Sequence, residues 1–198
     1  MTQGVFMSGF VDEFMKSMGG DVASQAASSL GISQKTVQQM IPALIPMILG
    51  GLRRQKDEQG GAARVDHILN KYGKSDVLND IGGLFASKVT QSNPDPNLGG
   101  LLGNSGSQAV DMLANNFKLD PSVITKFIPM LAPLVLGYLT KKRDSGMGSS
   151  GITSILDSDG DGSILDDVAG FLTQNLGSSK GGGLLGGLLG GLFGKKNP

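Results

Sequence analysis

Hydrophobic residues recur three and four positions apart along most of the chain. This spacing is typical of helices that bury one face. The pattern is widest at 37–52 and 124–138, where it predicts two long and largely buried helices. Shorter apolar stripes predict further helices over 10–18, 22–30, 65–72 and 75–89. Because no convincing period-two alternation indicates a strand, the sequence predicts an all-α protein.

Glycines and capping residues give the boundaries of the shorter helices. Gly19 and Gly20 are expected to end the first helix, and Asp21 is expected to cap the second. Ser75 is expected to cap a single helix that runs to Val89.

Two segments, 24–50 and 107–137, resemble each other, which indicates a repeated architectural unit. Each predicts a short helix, a turn and a long helix, with Ser33 and Asp120 at the N-cap positions of the long helices. Prolines inside a helix remove backbone donors, so both long helices are expected to bend or break locally. The prolines are Pro42, Pro46, Pro129 and Pro133. We expect the two units to pack together, with the long helices forming the core.

Polar and glycine-containing stretches at 56–63, 92–106 and 143–151 are typical of loops or linkers. The predicted organisation begins with a first helical unit and its following helices at 1–91, a linker at 92–106 and a second repeat unit at 107–143. A Gly/Ser linker, an Asp-rich segment and a helix follow at 144–176. A flexible Gly/Leu-rich tail is predicted at 177–198.

Composition excludes several classes of function. Seventeen basic and seventeen acidic residues cancel, so the charge expected of a nucleic-acid binder is missing. Residues 22–52 fit a helix-turn-helix pattern, but Lys35 is their single charged side chain, so a structural role is favoured over DNA recognition. The absence of cysteine excludes disulfides, thiolate metal sites and cysteine nucleophiles. His67, the single histidine, has no evident nucleophile or second ligand, so we expect no enzyme.

The Asp-rich segment, residues 157–167, provides the strongest chemical signal. It resembles the first eight positions of an EF-hand calcium loop, in which carboxylates and a glycine wrap the chain around the ion. Position twelve is Val168 instead of the usual bidentate acid. The alternative is an Asp/Gly turn that leads into a helix capped by Ser163. If the segment binds Ca²⁺, the predicted ligands are Asp157, Asp159, Asp161, Ser163, Asp166 and Asp167.

The tail contains a second unusual segment, 181–194, which consists only of glycine, leucine and phenylalanine. As a helix it would have a leucine face and a face with GxxxG spacing, followed by Lys195 and Lys196. It is shorter than the roughly 20 residues that a membrane span requires. The pattern fits a helix at a membrane surface or in a homo-oligomer, whereas a passive flexible tail is the alternative.

The repeated Leu-Gly-Ile-Ser…Ile-Pro-Ala-Leu-Ile-Pro unit, the Asp-rich segment and the Gly/Leu tail together resemble the bacterial family of unknown function that includes the YidB-like proteins. The resemblance spans roughly residues 6–193. It implies an all-helical bacterial protein and supplies no catalytic residues. The metal role of the aspartates is inferred from the residues themselves.

The sequence therefore favours a non-enzymatic structural or interaction protein, with no nucleic acid and no known protein as its partner. The alternative function is a small-ligand or lipid-binding protein with an apolar groove between bent helices. Because no basic residue precedes the apolar start, we expect no secretory signal and a cytoplasmic protein, which the tail would bring to membranes.

Overall fold

The computed structural model describes residues 5–90 and 101–157, without the side chains of residues 5–8 and 103–105. Every regular element in these two ranges is helical, which confirms the all-α prediction. The α-helices are α1 (Val5–Phe14), α2 (Gly20–Leu30), α3 (Gln34–Gln59), α4 (Gly61–Tyr72), α5 (Ile81–Val89), α6 (Gly103–Phe117), α7 (Pro121–Lys142) and α8 (Gly148–Asp157).

The two long helices, α3 and α7, contact each other at the centre of the protein. Leu44 on α3 and Leu131 on α7 are fully buried, as predicted. Both belong to one hydrophobic cluster, to which all eight α-helices contribute residues. The helices continue through their internal prolines, so the prolines do not break them. The wide apolar surfaces of α3 and α7 are covered by neighbouring helices on several sides, and this packing outweighs the lost backbone hydrogen bonds.

The turns before α3 and α7 have the same geometry. Gly31 ends α2 in the left-handed region (φ 68°, ψ 31°), and Lys118 ends α6 there as well (φ 54°, ψ 44°). Glycine adopts this conformation without steric cost, whereas lysine does not. Lys118 is the one non-glycine residue with positive φ in the described part of the chain.

Both predicted N-caps are present. The Ser33 hydroxyl accepts a hydrogen bond from the backbone N–H of Thr36 at 3.1 Å. The Asp120 carboxylate accepts one from the backbone N–H of Ser122 at 2.8 Å. Hydrogen bonding to Ser122 lowers the pKa of Asp120. The caps therefore satisfy N–H groups that have no partner within the helices.

The stretch 56–63 is helical, so the predicted loop is wrong. Helix α3 extends to Gln59, and only Gly60 separates it from α4. Gly60 and Gly61 have φ values of 128° and 65°, which allow the chain to reverse within two residues. Polar residues on the last turns of α3 form ion pairs such as Arg53 with Asp57 (3.4 Å). The polarity therefore marks an exposed helix face.

The Gly/Ser-rich stretch 143–151 is a short turn between helices and not a long linker. Gly146 (φ 114°, ψ −6°) and Gly148 (φ 67°, ψ 174°) have non-helical dihedral angles between α7 and α8, and α8 begins at Gly148. Ile152, Ile155 and Leu156 bury one face of α8 in the core, which stabilises this weak helix-forming sequence. The end of the predicted 92–106 linker is likewise helical, because α6 begins at Gly103.

Two predicted helix boundaries differ from the structure. The backbone stays helical from α1 through a π-helical turn at Met15–Gly19 into α2, so Asp21 lies in the first turn of α2 without capping it. The helix predicted from Ser75 is divided into a 3₁₀ turn at Ser75–Leu78 and α5. Asp80 caps α5 by accepting a hydrogen bond from the Gly83 N–H at 2.8 Å.

Candidate functional site

Asp157, the first residue of the predicted calcium loop, ends α8 and is exposed. Its carboxylate forms an ion pair with the ammonium of Lys56 on α3. The Lys56 ammonium nitrogen also lies 3.3 Å from a carboxylate oxygen of Asp57. Partial burial lowers the pKa of Lys56, but the hydrogen bonds to Asp157 and Asp57 outweigh this effect and raise it.

The other predicted ligands, Asp159, Asp161, Ser163, Asp166 and Asp167, lie outside the described residues. Within residues 5–90 and 101–157, no group of three or more His, Cys, Asp or Glu side chains could hold a metal ion. A cation at Asp157 would compete with the Lys56 ammonium for the same carboxylate. The described geometry therefore assigns Asp157 a structural partner.

A second polar cluster joins α4 to the turn between α7 and α8. The Arg143 guanidinium donates to Asp66 at 3.2 Å, to the Asn70 side-chain oxygen at 2.9 Å and to Asp144 at 2.9 Å. Ser149 donates to both carboxylate oxygens of Asp66 at 2.9 Å. Hydrogen bonds to Asp144 and then Asp66 raise the pKa of Arg143. These contacts fix the start of α8 against α4.

A third cluster joins α1 to the last turns of α7. The Tyr138 hydroxyl donates to Glu13 at 3.0 Å, and the Lys142 ammonium donates to the other Glu13 oxygen at 2.6 Å. The Tyr138 ring packs edge-to-face against Phe10 and Phe14, with ring centroids 5.6 Å apart in each pair. The cluster attaches α1 to the core by both apolar and ionic contacts.

These contacts shift two pKa values in opposite directions. The hydrogen bond from Lys142 lowers the pKa of Glu13, and the bond from Tyr138 adds to this effect. Burial raises the pKa of Tyr138, because a phenolate is poorly solvated there. Tyr138 therefore stays protonated and serves as a hydrogen-bond donor.

The start of α6 approaches α3 closely. Arg54 donates to the backbone carbonyls of Leu101 at 3.0 Å and Leu102 at 3.4 Å. A Cβ atom at Gly51 would lie 2.6 Å from the Leu101 carbonyl oxygen. The glycine thus lets the two backbones meet, and Arg54 satisfies carbonyls at this crossing.

The described clusters connect helices. His67 is exposed on α4, as expected for a solvated histidine. Glu13, Tyr138, Asp66 and Arg143 were not singled out from the sequence, because their partners on other helices lie between 73 and 129 positions away. No local motif signals such pairs.

One stretch in the described ranges, Pro121–Asp157, which comprises α7, the turn after it and α8, is by length and composition apolar enough to span a membrane. Its most apolar window has a mean hydropathy of 1.6, and 78% of that window is buried inside the protein. The core helix of a soluble protein has the same properties. Hydropathy is therefore weak evidence for a membrane span at α7.

The comparison with protein families defines the class of this protein. The bacterial family described as "Bacterial protein of unknown function (DUF937)" matches residues 12–142 and 139–197. The chain belongs to this family, which confirms the expectation of a bacterial family of unknown function. No curated protein and no solved structure matches the chain.

Proposed function

We propose that this protein is a non-enzymatic interaction module in which a helical body carries a C-terminal segment that binds a membrane surface. The observation that carries the proposal is the 14-residue segment 181–194, whose leucine face needs an apolar partner. The body and the tail would then have separate roles. The helices provide a stable carrier, and the tail provides the contact.

The described helices support this division of roles. Their charged clusters are used to join helices, as in the contacts of Glu13 with Lys142 and of Asp66 with Arg143. Within the described residues, the large hydrophobic side chains classed as exposed are Tyr72, Val89 and Met147. These three residues are far apart in the sequence, whereas segment 181–194 is continuously free of polar side chains.

A membrane surface suits the chemistry of the tail. Eight of the 14 residues in segment 181–194 are glycine. In water, each glycine destabilises a helix by about 1 kcal/mol relative to alanine. A helix would therefore form mainly when lipid covers the leucine face. Lys195 and Lys196 follow directly and would remain among the headgroups, where anionic lipids attract them.

Calcium is a second part of the proposal. The Asp-rich segment lies between α8 and the tail, so an ion bound by Asp157, Asp159 and Asp161 would sit at the junction of the two. Calorimetry with Ca²⁺ tests this site. The parent protein should give binding heat that a double variant, Asp157→Ala with Asp161→Ala, loses, and identical titrations would reject the site.

Vesicle flotation tests the membrane proposal. The full chain should float with anionic vesicles, and a variant that lacks residues 181–198 should stay in the soluble fraction. Equal flotation of the two proteins would contradict the proposal. Sedimentation velocity without lipid tests self-association. If the protein forms an oligomer through its tail and does not bind vesicles, the partner of the tail is a second copy of the chain and not a membrane.

The lipid-binding alternative gives a different result. A soluble monomer that co-purifies with lipid, and that keeps this lipid after deletion of the tail, would place the ligand in the helical body. That outcome would also contradict the membrane-surface proposal.

A further inference from the structure

From the ends of α2 and α6 onward, corresponding features of the two halves are separated by a constant 87 positions, as Gly31 and Lys118 are. Ser33 and Asp120, the caps of α3 and α7, have this separation. So do Gly61 and Gly148, which begin α4 and α8 with φ values of 65° and 67°. The correspondence therefore extends beyond the long helices to the helices that follow them.

Side-chain contacts at the ends of the long helices have the same separation. Lys56 on α3 binds Asp157 at the end of α8, and Arg143, 87 positions after Lys56, binds Asn70 near the end of α4. Asn70 in turn lies 87 positions before Asp157. Each long helix thus holds the helix that follows the other one, which is the exchange expected from an approximate twofold relation.

The sequence keeps this correspondence past the last described residue. Residues 61–87 and 148–174 are identical at seven aligned positions. The identical pairs are Gly61 and Gly148, Ile68 and Ile155, Leu69 and Leu156, Gly73 and Gly160, Leu78 and Leu165, Asp80 and Asp167, and Gly83 and Gly170. The Asp-rich segment is therefore the counterpart of the turn between α4 and α5.

In the first half, this turn packs on the other half's long helix. A Cβ atom at Gly137 of α7 would lie 2.8 Å from the Lys74 carbonyl oxygen. Helix α5 then contacts both α7 and α2, with Phe85 fully buried. Gly82 faces Gln25 of α2, because a Cβ atom at Gly82 would lie 3.7 Å from the Gln25 side-chain oxygen.

We propose that residues 160–172 dock on α3 and α6 as residues 73–85 dock on α7 and α2. The contact at Gly137 then corresponds to Gly50, a buried glycine of α3. Counted back from the left-handed residues that end α2 and α6, the contact at Gln25 corresponds to Met112 of α6. The chain also leaves α8 beside α3, where Lys56 holds Asp157. The occupant of this surface is the protein's own Asp-rich segment.

The proposal changes the roles of two predicted calcium ligands. Asp167 corresponds to Asp80, which caps α5 by accepting a hydrogen bond from the Gly83 N–H, and the proposal gives Asp167 the same capping role. Asp166 corresponds to Asn79, whose side chain has no assigned role. The acids available to an ion are then Asp157, Asp159 and Asp161.

Disulfide trapping tests the docking, and the absence of native cysteine makes every cross-link interpretable. The test pair is Met112→Cys with Ala169→Cys, and the pair Gln25→Cys with Gly82→Cys sets the expected rate in the first half. The matched control, Asp111→Cys with Ala169→Cys, moves one cysteine to an exposed neighbouring position on α6. Docking predicts a Met112 pair that oxidises much faster than the Asp111 pair. Equal rates for these two pairs would overturn the proposal.

Thermal melting gives an independent readout of the cap. Asp167→Ala should lower the melting temperature about as much as Asp80→Ala does, and Asp166→Ala should change it little. A melting temperature that Asp167→Ala leaves unchanged would contradict the proposed cap. A Ca²⁺ titration of the Asp167→Ala variant should keep the parent's binding heat, since this aspartate faces the helix.

Discussion

Gly73 and Gly137 lie where the turn after α4 crosses α7, each against the backbone of the residue next to the other. A Cβ atom at Gly73 would lie 2.7 Å from the Leu136 carbonyl oxygen, and one at Gly137 would lie 2.8 Å from the Lys74 carbonyl oxygen. Both obstacles are backbone atoms, which cannot rotate away as a side chain can. The close approach of the two backbones therefore depends on glycine at both positions.

Replacing either glycine by alanine should destabilise the protein. We expect Gly73→Ala and Gly137→Ala each to lower the free energy of unfolding by about 1–3 kcal/mol, the usual cost of overpacking. Gly20→Ala is the matched control, because Gly20 has helical dihedral angles and nothing within 4 Å of its Cβ position. This control should stabilise the protein by up to about 1 kcal/mol. Urea denaturation would contradict the account if alanine at 73 and 137 were as favourable as at 20.

The paired long helices should dominate the stability of the fold. Leu44→Ala and Leu131→Ala should each lower the free energy of unfolding by about 2–5 kcal/mol, because both side chains are fully buried. Gln38→Ala on the exposed face of α3 serves as the control. Losses below about 0.5 kcal/mol for both leucines, the range of surface substitutions, would show that α3 and α7 do not form the core.

Glu13 should stabilise the protein above its ordinary pKa and lose this effect in acid. Its pKa is lower in the folded protein than in the unfolded chain, because Lys142 and Tyr138 donate hydrogen bonds to its carboxylate. Protonation therefore favours unfolding as the pH falls from the ordinary value of 4.5 through the folded pKa. The stability difference between the parent and Glu13→Gln should be constant near neutral pH and shrink over this range. The control is Asp12→Asn, and a difference that stays constant down to pH 2 would refute the role of the cluster.

Lys56 should weaken any binding of Ca²⁺ at Asp157, because its ammonium forms an ion pair with the same carboxylate. Lys56→Met should raise the calorimetric affinity for Ca²⁺ about 1.5- to 5-fold, as exposed ion pairs typically contribute about 0.2–1 kcal/mol. Lys35→Met, at the opposite end of α3, is the control for net charge. An affinity that the Lys56 variant leaves unchanged would mean that Asp157 does not hold the ion.

Periodicity predicted the elements whose physical cause is local. The apolar spacing along α3 and α7 and the short-range caps at Ser33 and Asp120 are examples, because neighbouring residues determine them. The wrong loop at 56–63 comes from the polarity of an exposed helix face. The short turn and the start of α8 at 143–151 depend instead on tertiary contacts such as those of Arg143 with Asp66 and Asn70, which single-sequence patterns do not contain.

The candidate site shows the same division. The Asp-rich pattern indicated Asp157 as a metal ligand, whereas its ion pair with Lys56 joins positions 101 apart and has no sequence signal. The 87-residue correspondence is readable in the sequence, and the structure supports it with the matching φ angles of Gly61 and Gly148. The structure was needed to show that the first half provides the geometry from which docking in the second half is inferred.

The most direct test of the proposed function is the environment of the tail itself. The chain contains no tryptophan, so Phe193→Trp introduces a single indole reporter within segment 181–194. The account predicts a blue shift of its emission when vesicles are added, with half-saturation at lower lipid concentration as the anionic fraction rises. Emission that stays at the wavelength of a solvated indole at every lipid concentration and composition would contradict membrane binding by the tail.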